Sequence, residues 1–296
     1  MSNCKKIVIT GASGFLGSHL VERLKDDEKY IVYALSSRPD ELKEKIGGTS
    51  VEYLHKDAFK ESGEILEAGI VVNCAYPRNS TGIVIADGLK YIQGVFEAAV
   101  ENRAAAIINI SSQSVYSQQR TEAATEDTPL CLESPYAVGK HAIELMLESI
   151  CKGSSTKFTS LRMASLIGPG FDQRIVNRFA LKLLNHEPVT VLRQEKQMGY
   201  LDVEDAVSAI LAVSNYSDGY WKKIYNVGNG MGYTVEAIYE AVSEALKNKV
   251  EITDPIIEEG TDSSCTAVSY ETLHADTGYT PAIDIKNSIE RIIAQM

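Results

Sequence analysis

The sequence predicts an α/β fold, a doubly wound parallel sheet with a smaller C-terminal α/β portion. Three observations lead there. Short β-branched runs alternate with longer amphipathic stretches from the N-terminus onward, the pattern of βα units feeding a parallel sheet. A glycine-rich turn separates the first run from the first amphipathic stretch. A late run, Lys223–Val227, is placed to return to the sheet after a segment of different rhythm.

In order, Lys5–Thr10 (KKIVIT) predicts a buried strand and Gly14–Lys25 a helix. Ile31–Leu35, Val51–Leu54 and Ile70–Cys74 predict three further strands. A helix over Asp87–Asn102 leads into a strand at Ala105–Ile110, and a long helix over Tyr136–Cys151 into a strand at Lys157–Leu161. Helical crossovers between parallel strands are the economical topology. After Arg162 come a Gly/Pro loop at Gly168–Gly170, a helix near Ile175–Leu184 and a short strand at Val189–Leu192, read as inserted substrate-side structure. Val203–Val213 then predicts a helix before the returning strand. A helix at Thr234–Leu246, a strand at Val250–Thr253 and a terminal helix at Ile285–Ile293 complete the chain. The acid- and Ser-rich stretch Asp254–Thr266 is expected to be a mobile loop. The expected division is residues 1–165 and 199–228 for a nucleotide-binding domain, with 166–198 and 229–296 as a substrate-binding portion.

Composition narrows the function. The 296 residues are 44% hydrophobic and carry 40 acids against 29 Lys and Arg, a formal net charge of −11. That balance opposes a broad phosphate-neutralising surface and so opposes nucleic-acid binding. No apolar run approaches the roughly 20 residues of a membrane span, and Met1–Lys6 has no signal-peptide character, so a cytoplasmic protein is expected. Cys4, Cys74, Cys131, Cys151 and Cys265 show no C-x-x-C pair and are expected to be reduced and mostly buried. The five histidines have no ligand spacing, and no metal is expected.

The turn Gly11-Ala12-Ser13-Gly14-Phe15-Leu16-Gly17 is a G-x-x-G-x-x-G pattern between a strand and a helix. Glycines there permit a tight turn and a close approach of backbone to a pyrophosphate, whose charge is met by helix N-terminal N–H groups. The fold is therefore of Rossmann type, and Gly11, Ser13, Gly14, Phe15, Leu16 and Gly17 are candidate cofactor residues. Where an NAD site usually places an acid at the end of the second strand, this chain has Ser36-Ser37-Arg38. Small hydroxyls and a guanidinium suit a 2′-phosphate, so NADP is favoured over NAD. Asp57, followed by Ala58, is placed to meet the adenine ring, and Cys74, Ala75 and Tyr76 to line the nicotinamide side.

Tyr136 and Lys140 stand at i and i+4 on one helix face. An ammonium beside a phenol favours the phenolate, making the phenol usable as a general acid or base near neutral pH. Ser112 lies two dozen residues earlier, at the end of a parallel strand, where a ligand is met. Together these features resemble the extended short-chain dehydrogenase/reductase superfamily, in its nucleotide-sugar epimerase/dehydratase branch. Also similar are Ser112–Tyr116, Leu161-Arg162, Gly168-Pro169-Gly170, Arg178-Phe179, Pro188–Val191, Tyr200–Asp205 and Tyr225–Gly228. The resemblance implies that Ser112 positions the reacting oxygen and that Tyr136 transfers its proton. It implies that Lys140 tunes Tyr136 and binds the nicotinamide ribose, and it adds Met163 and Ser165 to the cofactor residues.

The chain also departs from that pattern. Gln113 and Ser114 stand where dehydratases of the branch carry an Asp-Glu pair, which argues against water elimination. Ser165 replaces an Asn, and Met198-Gly199 an Arg-Asp pair. Candidate substrate residues are Tyr76, Asn79, Gln113, Ser114, Arg174, Arg178 and Arg193. The expected function is an NADP-dependent ketoreductase acting on a sugar nucleotide or related carbonyl compound, with Tyr136 as general acid. The alternatives are a nucleotide-sugar epimerase with tightly bound NAD and a non-catalytic dinucleotide sensor, the latter opposed by the Tyr/Lys pair. A homodimer is expected through the helices Asp87–Asn102 and Tyr136–Cys151, which carry Val95, Phe96, Ile143, Met146 and Leu147.

Overall fold

The structure is a computed structural model that describes residues 4–77, 81–171, 175–216 and 220–296. In chain order its elements are β1 (Lys5–Thr10), α1 (Phe15–Leu24), β2 (Tyr30–Ser36), α2 (Pro39–Ile46), β3 (Val51–His55), α3 (Ala58–Glu61), β4 (Ile70–Asn73), α4 (Gly82–Glu101) and β5 (Ala106–Ser112). There follow α5 (Pro135–Cys151), β6 (Lys157–Met163), β7 (Ser165–Ile167), α6 (Ile175–Leu184), β8 (Thr190–Arg193), β9 (Met198–Asp202), α7 (Val203–Asn215) and β10 (Ile224–Val227). The chain closes with β11 (Gly232–Tyr233), α8 (Val235–Leu246), β12 (Ile256–Glu259), α9 (Glu271–Thr277) and α10 (Ile285–Ile293).

Seven strands form the main sheet in the order β10-β6-β5-β4-β1-β2-β3. The pairings of β1 with β2 and β4, of β2 with β3 and of β4 with β5 are parallel. This is the doubly wound Rossmann arrangement, whose order reverses between β1 and β4. The returning strand expected at Lys223–Val227 is β10, at the sheet edge.

Contacts group the chain into two compact units, residues 1–115, 132–162 and 213–225 in the first and 116–131, 163–212 and 226–296 in the second. The first has a core of Val8, Leu35 and Val71 from the sheet with Ile92, Val95 and Phe96 of α4 and Ile143 and Leu147 of α5. In α1, Leu16, Leu20, Val21 and Leu24 are buried at helical spacing. Pro39 opens α2 with Asp40 and Glu41 in its first turn, a favourable arrangement at a helix N-terminus.

The second unit gathers Val176, Phe179 and Leu183 of α6, Ile238 and Val242 of α8, and Ile289 and Ile292 of α10 around Val191 and Tyr200. Its C-terminal segment is held by two buried acids. Asp202 accepts from Ser288 Oγ at 2.6 Å and from Arg291 Nη1 at 2.8 Å. Asp205 accepts the backbone N–H groups of Ala282 and Ile283, each at 2.9 Å.

Several expectations need correction. Val250–Thr253 is not a strand. The strand lies later, at β12, inside the stretch expected to be a mobile loop, because Ile256–Glu259 pairs in parallel with Thr190–Arg193. That distant partner satisfies the backbone of an acid-rich run, which local composition does not reveal. Helix α4 begins at Gly82 rather than Asp87. The residues expected to form a homodimer surface lie inward: Val95, Phe96, Ile143 and Leu147 are buried against the sheet, and Met146 packs on them. Only Cys151 and Cys265 are buried, with Cys131 exposed, and all five cysteines are free thiols. Among the described residues, no helix is long and apolar enough to cross a membrane.

Candidate active site

The reversal point between β1 and β4 is where the glycine turn sits, and its geometry leaves no space for a side chain at Gly11 or Gly17. Gly11 has φ +65°, and a Cβ there would stand 2.7 Å from the N of Ala75. A Cβ on Gly17 would stand 2.3 Å from the Gly11 carbonyl oxygen. The turn closes through Gly14 N–H donating to Gly11 O at 2.9 Å. Gly14 is the N-cap of α1, so no capping side chain covers the first-turn N–H groups, and no acid stands in that turn. Exposed Ser13 and Gly14, then Phe15 and Leu16, bring the chain into a helix N-terminus open to an anion. These residues fit a dinucleotide diphosphate.

At the end of β2, Ser36 is buried and its Oγ accepts the Arg38 N–H at 3.0 Å. Ser37 is exposed. The Arg38 guanidinium is ion-paired with Glu41 at 2.9 Å, both side chains largely in solvent. Asp57 immediately precedes α3, which Ala58 opens, and its side chain makes no capping bond there. Its carboxylate takes Lys56 at 2.6 Å and Lys60 at 2.7 Å, and these bonds hold its pKa below the usual carboxylate range.

The catalytic candidates converge at the ends of β4 and β5. Ser134 caps α5 through the Ala137 N–H, Pro135 occupies its first position, and Tyr136 therefore falls in its first turn. One turn on, Lys140 is buried, and its Nζ donates to the carbonyl of Ile110 at 2.7 Å, two residues before Ser112. Ser112 Oγ accepts from the Ser114 N–H at 3.2 Å and the Ser114 hydroxyl at 3.0 Å, so its own proton is available to a bound oxygen. Gln113 is buried. Tyr76 lies against Tyr136, ring centroids 5.1 Å apart and planes at 82°. Burial pushes the Cys74 thiol up to about 12, with the Lys140 ammonium opposing, so it is a protonated packing group.

Two supporting networks were not read from the sequence. A buried ladder crosses four strands: Thr10 Oγ1 donates to Asn73 Oδ1 at 2.7 Å, Asn73 Nδ2 to Asn109 Oδ1 at 3.0 Å, and Asn109 Nδ2 to Ser160 Oγ at 3.0 Å. The available signal was a polar residue within each of the four strand runs, Thr10, Asn73, Asn109 and Ser160. Behind Lys140, Glu144 on the next turn of α5 accepts from Ser111 and from Arg162 of β6. An acid four residues after the lysine, on an apolar helix face, was the signal there.

In the second unit, Met163 is buried at the end of β6, Ser165 opens β7, and Arg178 lies exposed on α6. Arg193, at the end of β8, is held by Glu236 at 2.9 Å and Glu259 at 3.5 Å. Asn79 and Arg174 lie outside the described residues. Among the described residues, no cluster of three His, Cys, Asp or Glu side chains is arranged to hold a metal.

Residues 7–228 match the NAD dependent epimerase/dehydratase family. The chain belongs to that family. It is 25% identical over 264 residues to UDP-glucuronic acid decarboxylase 6 of Arabidopsis thaliana, covering 83% of this chain and 76% of that protein. Its fold is similar to that of a variant UDP-glucuronic acid 4-epimerase from Bacillus cereus, solved with UDP-4-deoxy-4-fluoro-glucuronic acid and NAD. That likeness has a TM-score of 0.83 at 18% identity and covers 98% of each chain. The UDP-glucose 4-epimerase of Thermotoga maritima, solved with UDP-glucose, gives 0.79 at 21% identity over 98% of this chain and 97% of that one. In this epimerase/dehydratase family member the glycine cradle, Ser112, Tyr136 and Lys140 all belong to the first unit.

Proposed function

We propose that this protein is an NAD-dependent nucleotide-sugar epimerase, acting by transient oxidation of one sugar carbon. The observation that carries the reading is the Lys140 ammonium, held on the Ile110 carbonyl of the strand that ends in Ser112 and 5.8 Å from the Tyr136 ring, in a sheet whose glycine turn has no room for a Cβ at Gly11 or Gly17. NAD, when bound, supplies a reversible hydride acceptor. The glycine turn and the α1 N-terminus hold its diphosphate, and Ser36 and Asp57 lie on its adenosine side. Lys140 binds the nicotinamide ribose. Ser112 donates a hydrogen bond to the reacting sugar oxygen. Tyr136 takes the hydroxyl proton as the carbon is oxidised and returns it when the carbon is reduced on its other face. Gln113 and Ser114 serve the substrate side.

We take NAD over NADP; two acids, Asp40 and Glu41, stand beside Arg38 in the first turn of α2, and Glu41 pairs with its guanidinium, which disfavours a 2′-phosphate there. The solved relative that carries NAD and a UDP-sugar supports the same choice. Ketone reduction at the expense of NADPH has no such support. We include a homodimer, with Ile83 and Val84 of α4 and Val138 and Leu145 of α5 as the exposed apolar residues available to it; sedimentation of the purified chain tests that part.

The experiment is to denature the purified protein, identify the released dinucleotide by mass, and incubate the native protein with UDP-glucose and UDP-glucuronic acid without added cofactor. Retained NAD and an epimeric product without net redox are expected. Stoichiometric consumption of NADPH would establish the reductase instead. Release of CO2 with a UDP-pentose product would assign the reaction named for the Arabidopsis relative.

A further inference from the structure

The Lys140 ammonium lies over two neighbouring aromatic rings. Its Nζ is 4.4 Å from the Tyr76 ring centroid and 5.8 Å from that of Tyr136. The nearer ring belongs to the residue with no role in proton transfer. A cation within about 6 Å of an aromatic face is attracted by the ring quadrupole, more strongly where water is excluded. Here Lys140 is 5% exposed.

Tyr76 is itself fixed on two sides. Its hydroxyl points to the Tyr136 carbonyl oxygen at 3.4 Å. Its Oη occupies the place a side chain at position 139 would fill: a Cβ on Gly139 would stand 2.4 Å from it. A glycine inside α5 costs helix stability, and what it admits is the Tyr76 phenol.

We propose that Tyr76 is a positioning residue for the proton-transfer pair, its ring face confining the Lys140 ammonium beside Tyr136 and keeping water from screening it. This rests on the reading of Tyr136 and Lys140 as that pair. Glu144, one turn along α5, is occupied by Arg162, Ser111 and His141. Cys74, beyond β4, remains a neutral thiol, and Tyr76 remains a neutral phenol because burial, and then the proximity of Tyr136, raise its pKa. The confined ammonium favours the Tyr136 phenolate.

The test is titration of the purified full chain carrying [13Cζ]tyrosine, followed by NMR, with the Tyr136 signal identified by its loss in Tyr136→Phe. Tyr76→Leu keeps apolar bulk and removes the quadrupole; it should raise the Tyr136 midpoint by about one pH unit, a tenfold change in ionisation constant. Tyr76→Phe keeps the ring and should stay within about 0.3 units of wild type. Gly139→Ala displaces the Tyr76 phenol from within a helix that tolerates alanine well, and should reproduce the shift even if Tyr76→Leu fails to fold. Unchanged midpoints in both Tyr76→Leu and Gly139→Ala would overturn the proposal, as would a shift in Tyr76→Phe equal to that in Tyr76→Leu. No substrate is used, so a chain that shows these shifts without epimerising sugars would overturn the proposed function and leave this inference standing.

Discussion

Ser111 Oγ donates to Glu144 Oε1 at 2.5 Å, joining the strand that ends in Ser112 to the helix that carries Lys140. The same carboxylate receives Arg162 Nε at 2.9 Å and Nη2 at 2.7 Å, and pairs with His141 Nδ1 at 3.0 Å. Burial alone would raise the pKa of Glu144. The bonds and charge of Arg162, with Ser111 and His141, outweigh burial and hold it below its ordinary value. One buried anion thus ties β5, β6 and α5 together beneath the candidate catalytic residues.

Replacing Glu144 by Gln leaves Arg162 buried without its anion, and a loss of about 3–5 kcal/mol in urea unfolding at pH 7 is expected. The pH dependence has a definite sign. A carboxylate whose folded pKa is depressed contributes stability above its unfolded value, about 4.3, and that contribution is lost as pH falls through the folded value. The gap between wild type and Glu144→Gln should therefore narrow below about pH 4. A gap of constant size from neutral pH down to the acid limit of folding would show that ionisation of Glu144 is not its source.

Tyr136→Phe removes the proton donor and keeps the ring. A fall in turnover of about 10²–10⁴-fold is expected, as for loss of a general acid–base group. Rapid-quench measurement of a single turnover separates this from product release. A rate within tenfold of wild type would remove Tyr136 from proton transfer.

Gly17→Ala places a Cβ 2.3 Å from the Gly11 carbonyl oxygen and forces the start of α1 away from the turn. Calorimetric titration with NAD should show binding at least tenfold weaker, about 1.4 kcal/mol. Gly14→Ala, whose Cβ would stand 3.1 Å from the same oxygen, should lose less. Equal affinity in wild type and Gly17→Ala would mean that the cradle does not hold the diphosphate.

Arg38→Ala breaks an exposed pair with Glu41, and such pairs contribute about 0–1 kcal/mol to stability. Neither NAD nor NADP affinity should change by more than about threefold, a difference well under one kcal/mol. A selective tenfold loss of NADP binding would reinstate Arg38 as a 2′-phosphate ligand and with it the reductase reading.

The doubly wound sheet, the glycine turn and the Tyr136/Lys140 spacing were legible because each is local. A buried parallel strand writes itself as a short β-branched run such as Lys5–Thr10, a tight turn as glycines, and a shared helix face as a four-residue interval. Contacts between residues far apart in the chain leave no such mark. Tyr76 meets Tyr136 at a sequence separation of 60, and Ser111 meets Glu144 at 33. The strand Ile256–Glu259 exists through its register with Thr190–Arg193, so an acid-rich run that reads as loop is ordered. Val95 and Phe96, apolar in either case, turn inward because α4 packs on the sheet. Composition states what a residue can do; packing and strand register set which partner it meets, and so which ring holds the lysine.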